Sequence, residues 1–173
     1  RPRLAVACGL AGDPDVLVLD EPTPGLDPQA RRSLWEVIER FLEGGGTVLL
    51  TTHYMEEAAQ LSDRIAIIDH GQVIARGTPD ELIASLDAEH VVELSVGDDA
   101  RLDPGSMARL PGVTAVHARE GGLSLSVREV HGVLPALLAE LEARGLELSD
   151  LSTRHATLED VFLELTGRRL RDA

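Results

Sequence analysis

Val16-Leu17-Val18-Leu19-Asp20-Glu21-Pro22-Thr23-Pro24-Gly25-Leu26-Asp27-Pro28 reads in one pass as a strand, a turn and the start of a helix. Val16 to Leu19 is apolar without alternation, the pattern of a strand covered on both faces in a parallel α/β sheet. Asp27 is placed as an N-cap with Pro28 at the first helical position. Leu34, Trp35, Ile38, Phe41 and Leu42 then recur at helical spacing until Gly44-Gly45-Gly46 ends the helix. Thr47 to Leu50 is a second covered strand, closed by Thr51-Thr52-His53, and Tyr54 to Leu61 reads as a short helix. Upstream, residues 3 to 11 form an Ala-rich helix buried on most sides and stopped by Gly12-Asp13-Pro14. Strand, helix, strand, helix implies a parallel sheet.

Two carboxylates and a histidine at the ends of buried strands have little structural reason to be there, and they mark a nucleotide-phosphate site. A strand ending in Asp-Glu puts Asp20 where it can hold Mg²⁺, commonly through water, and Glu21 where it can orient or deprotonate an attacking water. A solvated acidic turn would explain the pair alone about as well. The surrounding pattern argues against that plain alternative. His70, His90, His117, His131 and His155 read as loop, strand-surface or turn residues.

Further along, Arg64 to Asp69 and Gln72 to Ala75 are short strands joined by a His70-Gly71 hairpin turn. Thr78-Pro79-Asp80-Glu81 starts a helix expected to reach about Leu86. A domain boundary falls near residue 87, because beyond it the strands alternate: Val92, Leu94 and Val96 share one face, and Leu123, Leu125 and Val127 another. The expected order is a strand at 91–96, a helix from Pro104 to Leu110, strands at 113–119 and 123–128, a helix starting near Leu134 or kinked at Pro135, and a strand from about Leu146 to Leu151. That is βαββαβ, the ferredoxin-like order. Thr157 then caps a helix with Leu158, Val161, Phe162 and Leu165 on one side and Glu159, Asp160 and Glu164 on a solvated face.

Across 173 residues, 43% hydrophobic and 27% charged content describe a core-forming chain, and the net charge of −14 argues against nucleic acid as a partner. No apolar stretch approaches the roughly 20 residues that a membrane helix needs. The single cysteine, Cys8, lies among apolar neighbours and reads as buried filler. All sixteen basic residues are Arg, so this chain has no phosphate-gripping P-loop lysine.

VLVLDEPTPGLDP at 16–28 followed by TTHYMEEA at 51–58 resembles the ATPase subunit of an ATP-binding cassette (ABC) transporter. The likeness continues through Arg64 to Gln72 and Gly77 to Leu82. It implies that Asp20 is the Walker B aspartate and metal ligand, that Glu21 is the catalytic carboxylate, and that Gly25-Leu26-Asp27 belongs to the D-loop, with Asp27 at the nucleotide site and linking the paired sites. It makes His53 the switch histidine that contacts the γ-phosphate and the attacking water. Pro24 replaces the commoner small or polar residue and has no N–H to donate. The family's GxxxxGK[ST], glutamine loop and LSGGQ-like signature do not occur in this sequence.

The expectation is therefore an α/β chain. Residues 1–86 would be the C-terminal portion of the ABC ATPase domain, a partial P-loop NTPase (RecA-like) parallel sheet lacking the P-loop strand and marginally stable alone. Residues 87–173 would be a small α+β ferredoxin-like regulatory domain, similar to the C-terminal extension of export ATPases of the daunorubicin-resistance type. The resemblance implies ATP and Mg as cofactors. It implies three partners: the N-terminal half of the cassette, a second ATPase subunit as a homodimer, and a transmembrane permease that holds the protein at the cytoplasmic face of the cell membrane. The intact protein would export a drug, lipid or polysaccharide, and this chain alone would not hydrolyse ATP. The alternative is a nucleotide-incompetent regulatory or interaction fragment. A cytosolic ABC ATPase of the translation or chromosome-maintenance kind fits the ferredoxin-like extension and export-type tail less well.

Overall fold

A computed structural model describes residues 2–97, 102–119 and 121–167. It is a mixed α/β structure in two compact units, one of Arg1–Ile67 with Arg76–Pro79 and the other of Ile68–Ala75 with Asp80–Ala173.

In the first unit, α1 (Pro2–Leu10) leads to β1 (Val16–Asp20), α2 (Pro28–Glu43), β2 (Thr47–Thr51) and α3 (Met55–Leu61). Asp27 caps α2 as the sequence predicts, its carboxylate accepting from the N–H groups of Gln29 and Ala30 at 3.0 Å each. β1 and β2 pair in parallel, in a register running from Val16 opposite Thr47 to Asp20 opposite Thr51. Val6, Leu17, Leu19, Leu34 and Ile38 form the core on one face of this ribbon. Each such side chain contributes about 1.5–3 kcal/mol by leaving water.

The other face departs from expectation. Val16, Val18 and Leu49 are 57%, 65% and 61% exposed, so the apolar run is covered on one side by the described residues rather than on both. Strand alternation sends Leu17 and Leu19 toward the helices and Val16, Val18 and Asp20 to the opposite face. Cys8 is likewise exposed rather than buried filler, because Val6 is the residue of α1 that enters the core.

β3 (Ile65–Asp69) and β4 (Gln72–Gly77) form a separate two-stranded sheet. Its turn residues, His70 and Gly71, have φ of 46° and 75°, the double left-handed conformation of a type I′ hairpin. α4 (Pro79–Ala84) stops short of Leu86, and the Ser85 hydroxyl donates back to the Leu82 carbonyl at 2.6 Å.

The second unit holds β5 (His90–Val96), α5 (Pro104–Met107), β6 (Val113–Arg119), β7 (Gly122–Val127), α6 (Val130–Ala143), β8 (Leu148–His155) and α7 (Leu158–Thr166). Its strands run antiparallel in the order β6-β7-β5-β8. Val92, Leu94, Leu123, Leu125 and Val127 meet Val133, Leu137 and Leu141 of α6 in one core. That burial explains why α6 continues through Pro135 and begins at Val130 instead of Leu134, since apolar packing outweighs a helix-interior proline cost of about 3 kcal/mol. α5 ends at Met107 instead of Leu110, and β8 begins at Leu148 and extends to His155 because it pairs along β5 as far as His90.

On α7, Leu158, Val161 and Phe162 are buried, but Leu165 is exposed and Leu163 takes an inward place. Glu159 and Glu164 are exposed as expected. Asp160 is not on a solvated face. It is buried, accepts from the Thr157 N–H at 2.8 Å in a capping box, and receives both Arg154 amino groups at 2.7 and 2.8 Å. Burial alone would push the Asp160 carboxyl up; the hydrogen bonds from Arg154 and Thr157 hold it below its ordinary value. The same pairing raises the Arg154 guanidinium further above its usual range.

Candidate active site

The two parallel strands end side by side, and the chemistry gathers at that end. Asp20 and Thr51, opposite each other in the register, are the last residues of β1 and β2, and the Thr51 hydroxyl donates to Asp20 Oδ1. Glu21 follows at φ 47°, in the left-handed region, with its N–H donating to the Thr51 carbonyl at 3.0 Å and to Thr51 Oγ1 at 3.3 Å. A non-glycine residue held there costs on the order of 1–2 kcal/mol. The turn redirects the chain out of the strand, and the Glu21 side chain meets His53: Nδ1 lies 2.6 Å from Oε2.

A carboxylate accepts, so Nδ1 carries the hydrogen of this bond and Nε2 is the ring nitrogen left for another partner. Both side chains are about half exposed, which leaves the pair reachable from solvent. The imidazole leans on Tyr54 with ring centroids 4.3 Å apart, and the Arg31 guanidinium of α2 lies 5.3 Å from the Tyr54 ring centre.

Beyond Glu21 the chain makes one tight turn. Pro24 and Gly25, at φ 77°, occupy its centre, and Leu26 N–H donates to the Thr23 carbonyl at 3.1 Å. This is the Pro-Gly pattern of a type II turn, where the N–H that Pro24 lacks is not used. Asp27 is committed to capping α2. Of the four sequence-predicted site residues, Glu21 and His53 are joined directly, Asp20 sits beside them at the strand end, and Asp27 is turned to the helix.

Two residues were missed by sequence reasoning. Thr51 links both carboxylate residues through one hydroxyl; its place opposite Asp20 depends on strand register, which periodicity alone does not supply. Glu57 is 0% exposed, and its carboxylate accepts from Thr23 Oγ1 at 3.2 Å and Trp35 Nε1 at 3.0 Å. A second glutamate after Glu56 on a short helix gives no sign in sequence of which one turns inward.

No group of three or more His, Cys, Asp or Glu that could hold a metal ion occurs among the described residues. Mg²⁺ in nucleotide sites takes one or two carboxylates, with water and phosphate oxygens completing the shell. The oxygen-donor position at Asp20, backed by a hydroxyl, fits that demand.

A family described as "ATP-binding protein DrrA1-3-like, C-terminal domain" matches residues 77–166, and one described as "AAA domain, putative AbiEii toxin, Type IV TA system" matches residues 3–57. The chain is 45% identical over 172 residues to Nod factor export ATP-binding protein I of Ralstonia nicotianae, covering 99% of this chain and 53% of that protein. It is 42% identical over 177 residues to daunorubicin resistance ATP-binding protein DrrA3 of Streptomyces coeruleorubidus, covering 100% of this chain and 55% of that protein. A solved structure of an ATP-binding subunit of an ABC transporter aligns with 48% of this chain and 35% of its own, at 31% identity and a TM-score of 0.45. The chain belongs to the DrrA-like ABC ATP-binding proteins. It spans about half the length of the curated relatives it matches.

Proposed function

We propose that this chain is the C-terminal portion of the ATP-hydrolysing subunit of a bacterial ABC exporter. The observation that carries the reading is the 2.6 Å contact between His53 Nδ1 and Glu21 Oε2, beside Asp20 at the end of a parallel strand pair. In this reading residues 1–86 are part of a RecA-like P-loop NTPase sheet, and β2 borders the place of a P-loop strand that this chain does not contain. Residues 87–173 form a ferredoxin-like regulatory domain, a reading that the strand order β6-β7-β5-β8 supports.

The geometry supports the roles that the resemblance implies. Asp20 holds Mg²⁺ in the assembled site, with its carboxylate steadied by Thr51. Bound there, Mg²⁺ would supply neutralisation of phosphate charge. Glu21 has Oε2 engaged by His53, so Oε1 is the oxygen that accepts a proton from water and aims it. His53, fixed through Nδ1, presents Nε2 to the γ-phosphate. Asp27 orders α2 and the loop that leads to the second subunit.

ATP and Mg are bound together with the N-terminal half of the cassette, in a homodimer of ATPase subunits on a transmembrane permease at the cytoplasmic face of the membrane. The exported cargo is a drug, lipid or polysaccharide. Daunorubicin resistance and Nod factor export name the matched relatives, not this chain.

The second reading, a nucleotide-incompetent interaction fragment, is favoured by the absence of lysine from the sequence. Titrating Mg-ATP against the chain, alone and with the N-terminal half of a DrrA-like relative supplied in trans, tests both. Saturable binding only in the mixture supports the leading reading. No binding in either leaves the interaction fragment, and binding by the chain alone contradicts both.

A further inference from the structure

The helix after His53 is tied to α2 at three successive places. The Tyr54 ring meets Arg31, Glu57 Oε1 accepts from Trp35 Nε1 at 3.0 Å, and Gln60 Nε2 donates to Glu39 Oε1 at 3.0 Å. The outer two ties are of ordinary surface kind. The central one joins a half-buried Trp35 to a fully buried Glu57, and it branches: Glu57 Oε2 also accepts from Thr23 Oγ1, at 3.2 Å, in a buried bond. Thr23 is 2% exposed and opens the Pro24-Gly25 turn between Glu21 and Asp27.

A carboxylate with no exposure is costly to place unless every bond it makes is kept, so simple packing does not call for it. α3 is a helix of 7 residues whose N-cap, Tyr54, makes no side-chain cap bond, so its first turn has little of its own to fix it. Glu57 thus joins the loop after Glu21, the helix that Asp27 caps, and the helix that follows His53.

We propose that Glu57 is a positioning residue for the Glu21–His53 pair: its buried carboxylate locks the loop that follows one partner to the helix that follows the other. The inference rests on the functional reading for its purpose, but the coupling itself is read without nucleotide. Glu57 touches no reacting atom.

The sequence contains one Trp, so the Trp35 indole N–H is a unique reporter of Glu57, and the ring ¹⁵N shifts of His53 report its bond to Glu21. In the full chain, Glu57→Ala is expected to speed Trp35 indole hydrogen exchange by about tenfold or more and to abolish the hydrogen-bonded Nδ1 signature of His53. Glu57→Gln keeps an amide oxygen for Trp35 and an NH₂ for Thr23, and is expected to restore both signals. Should Glu57→Ala not fold, Thr23→Val removes the loop tether at nearly constant volume; it is expected to shift His53 while leaving the Trp35 indole protected.

An unchanged His53 spectrum in folded Glu57→Ala, or in Thr23→Val, overturns the proposal and reduces Glu57 to a packing role. If the spectra respond as expected while the complemented protein fails to hydrolyse ATP, the functional reading falls and the coupling stands.

Discussion

Thr51 shows how one hydroxyl can hold two acids in place. It donates to Asp20 and accepts from the Glu21 N–H, so Thr51→Val removes both bonds from an exposed strand end. Water replaces them there, and the expected stability loss is no more than about 1 kcal/mol by urea unfolding. Turnover of the complemented protein is expected to fall far more, by about tenfold or greater, because Asp20 and Glu21 lose their shared brace. Asp160 makes the opposite case, a charge kept for stability. Its folded carboxyl titrates below the ordinary 3.8, so the deprotonated form favours the folded state. That contribution is whole above about pH 3.8 and disappears as pH falls through the depressed folded value. Asp160→Asn is therefore expected to lower stability by about 1.5–3 kcal/mol at neutral pH, with the gap to wild type closing in acid unfolding below that point. The acidic pair and His53 were legible because their residue types follow apolar runs. Asp160 was not, because a helix-start acid looks alike in sequence whether Arg154 lies across from it or water does.

Elements whose signals are local are legible in the sequence. Asp27-Pro28 fixed the start of α2, and His70-Gly71 fixed the β3–β4 turn, since capping and left-handed φ act within a few residues. Elements whose bounds depend on tertiary packing are less legible: α6 runs through Pro135, and β8 follows β5 to His155. The apolar run at 16–19 gave a strand but not its coverage. Val18 and Leu49 stand opposite one another on an open face at 65% and 61% exposure. Val18→Asp is expected to change the stability of this chain by less than about 0.5 kcal/mol, as at other exposed positions. The same substitution is expected to block complementation by the N-terminal half, which would cover this face in the assembled cassette. Equal complementation by wild type and Val18→Asp would show that the face stays open there.

At the scale of the whole molecule, the two units differ in how much core they close. The four-stranded sheet of the second packs a continuous apolar cluster, whereas the first rests α1 and α2 on a ribbon of two strands. A two-stranded ribbon with one covered face is marginal by itself. Trp35 lies in the first unit and is the only tryptophan, so its fluorescence follows that unit alone. In urea its midpoint is expected to precede the loss of far-UV circular dichroism, and coincident transitions would mean that the chain unfolds as one cooperative body. The central claim concerns chemistry, and steady-state phosphate release by the chain mixed with a P-loop-bearing N-terminal half tests it most directly. Mg-dependent release is expected, reduced by about 10²–10⁴-fold in each of Glu21→Gln and His53→Ala without loss of ATP binding. Release that survives both substitutions would contradict it.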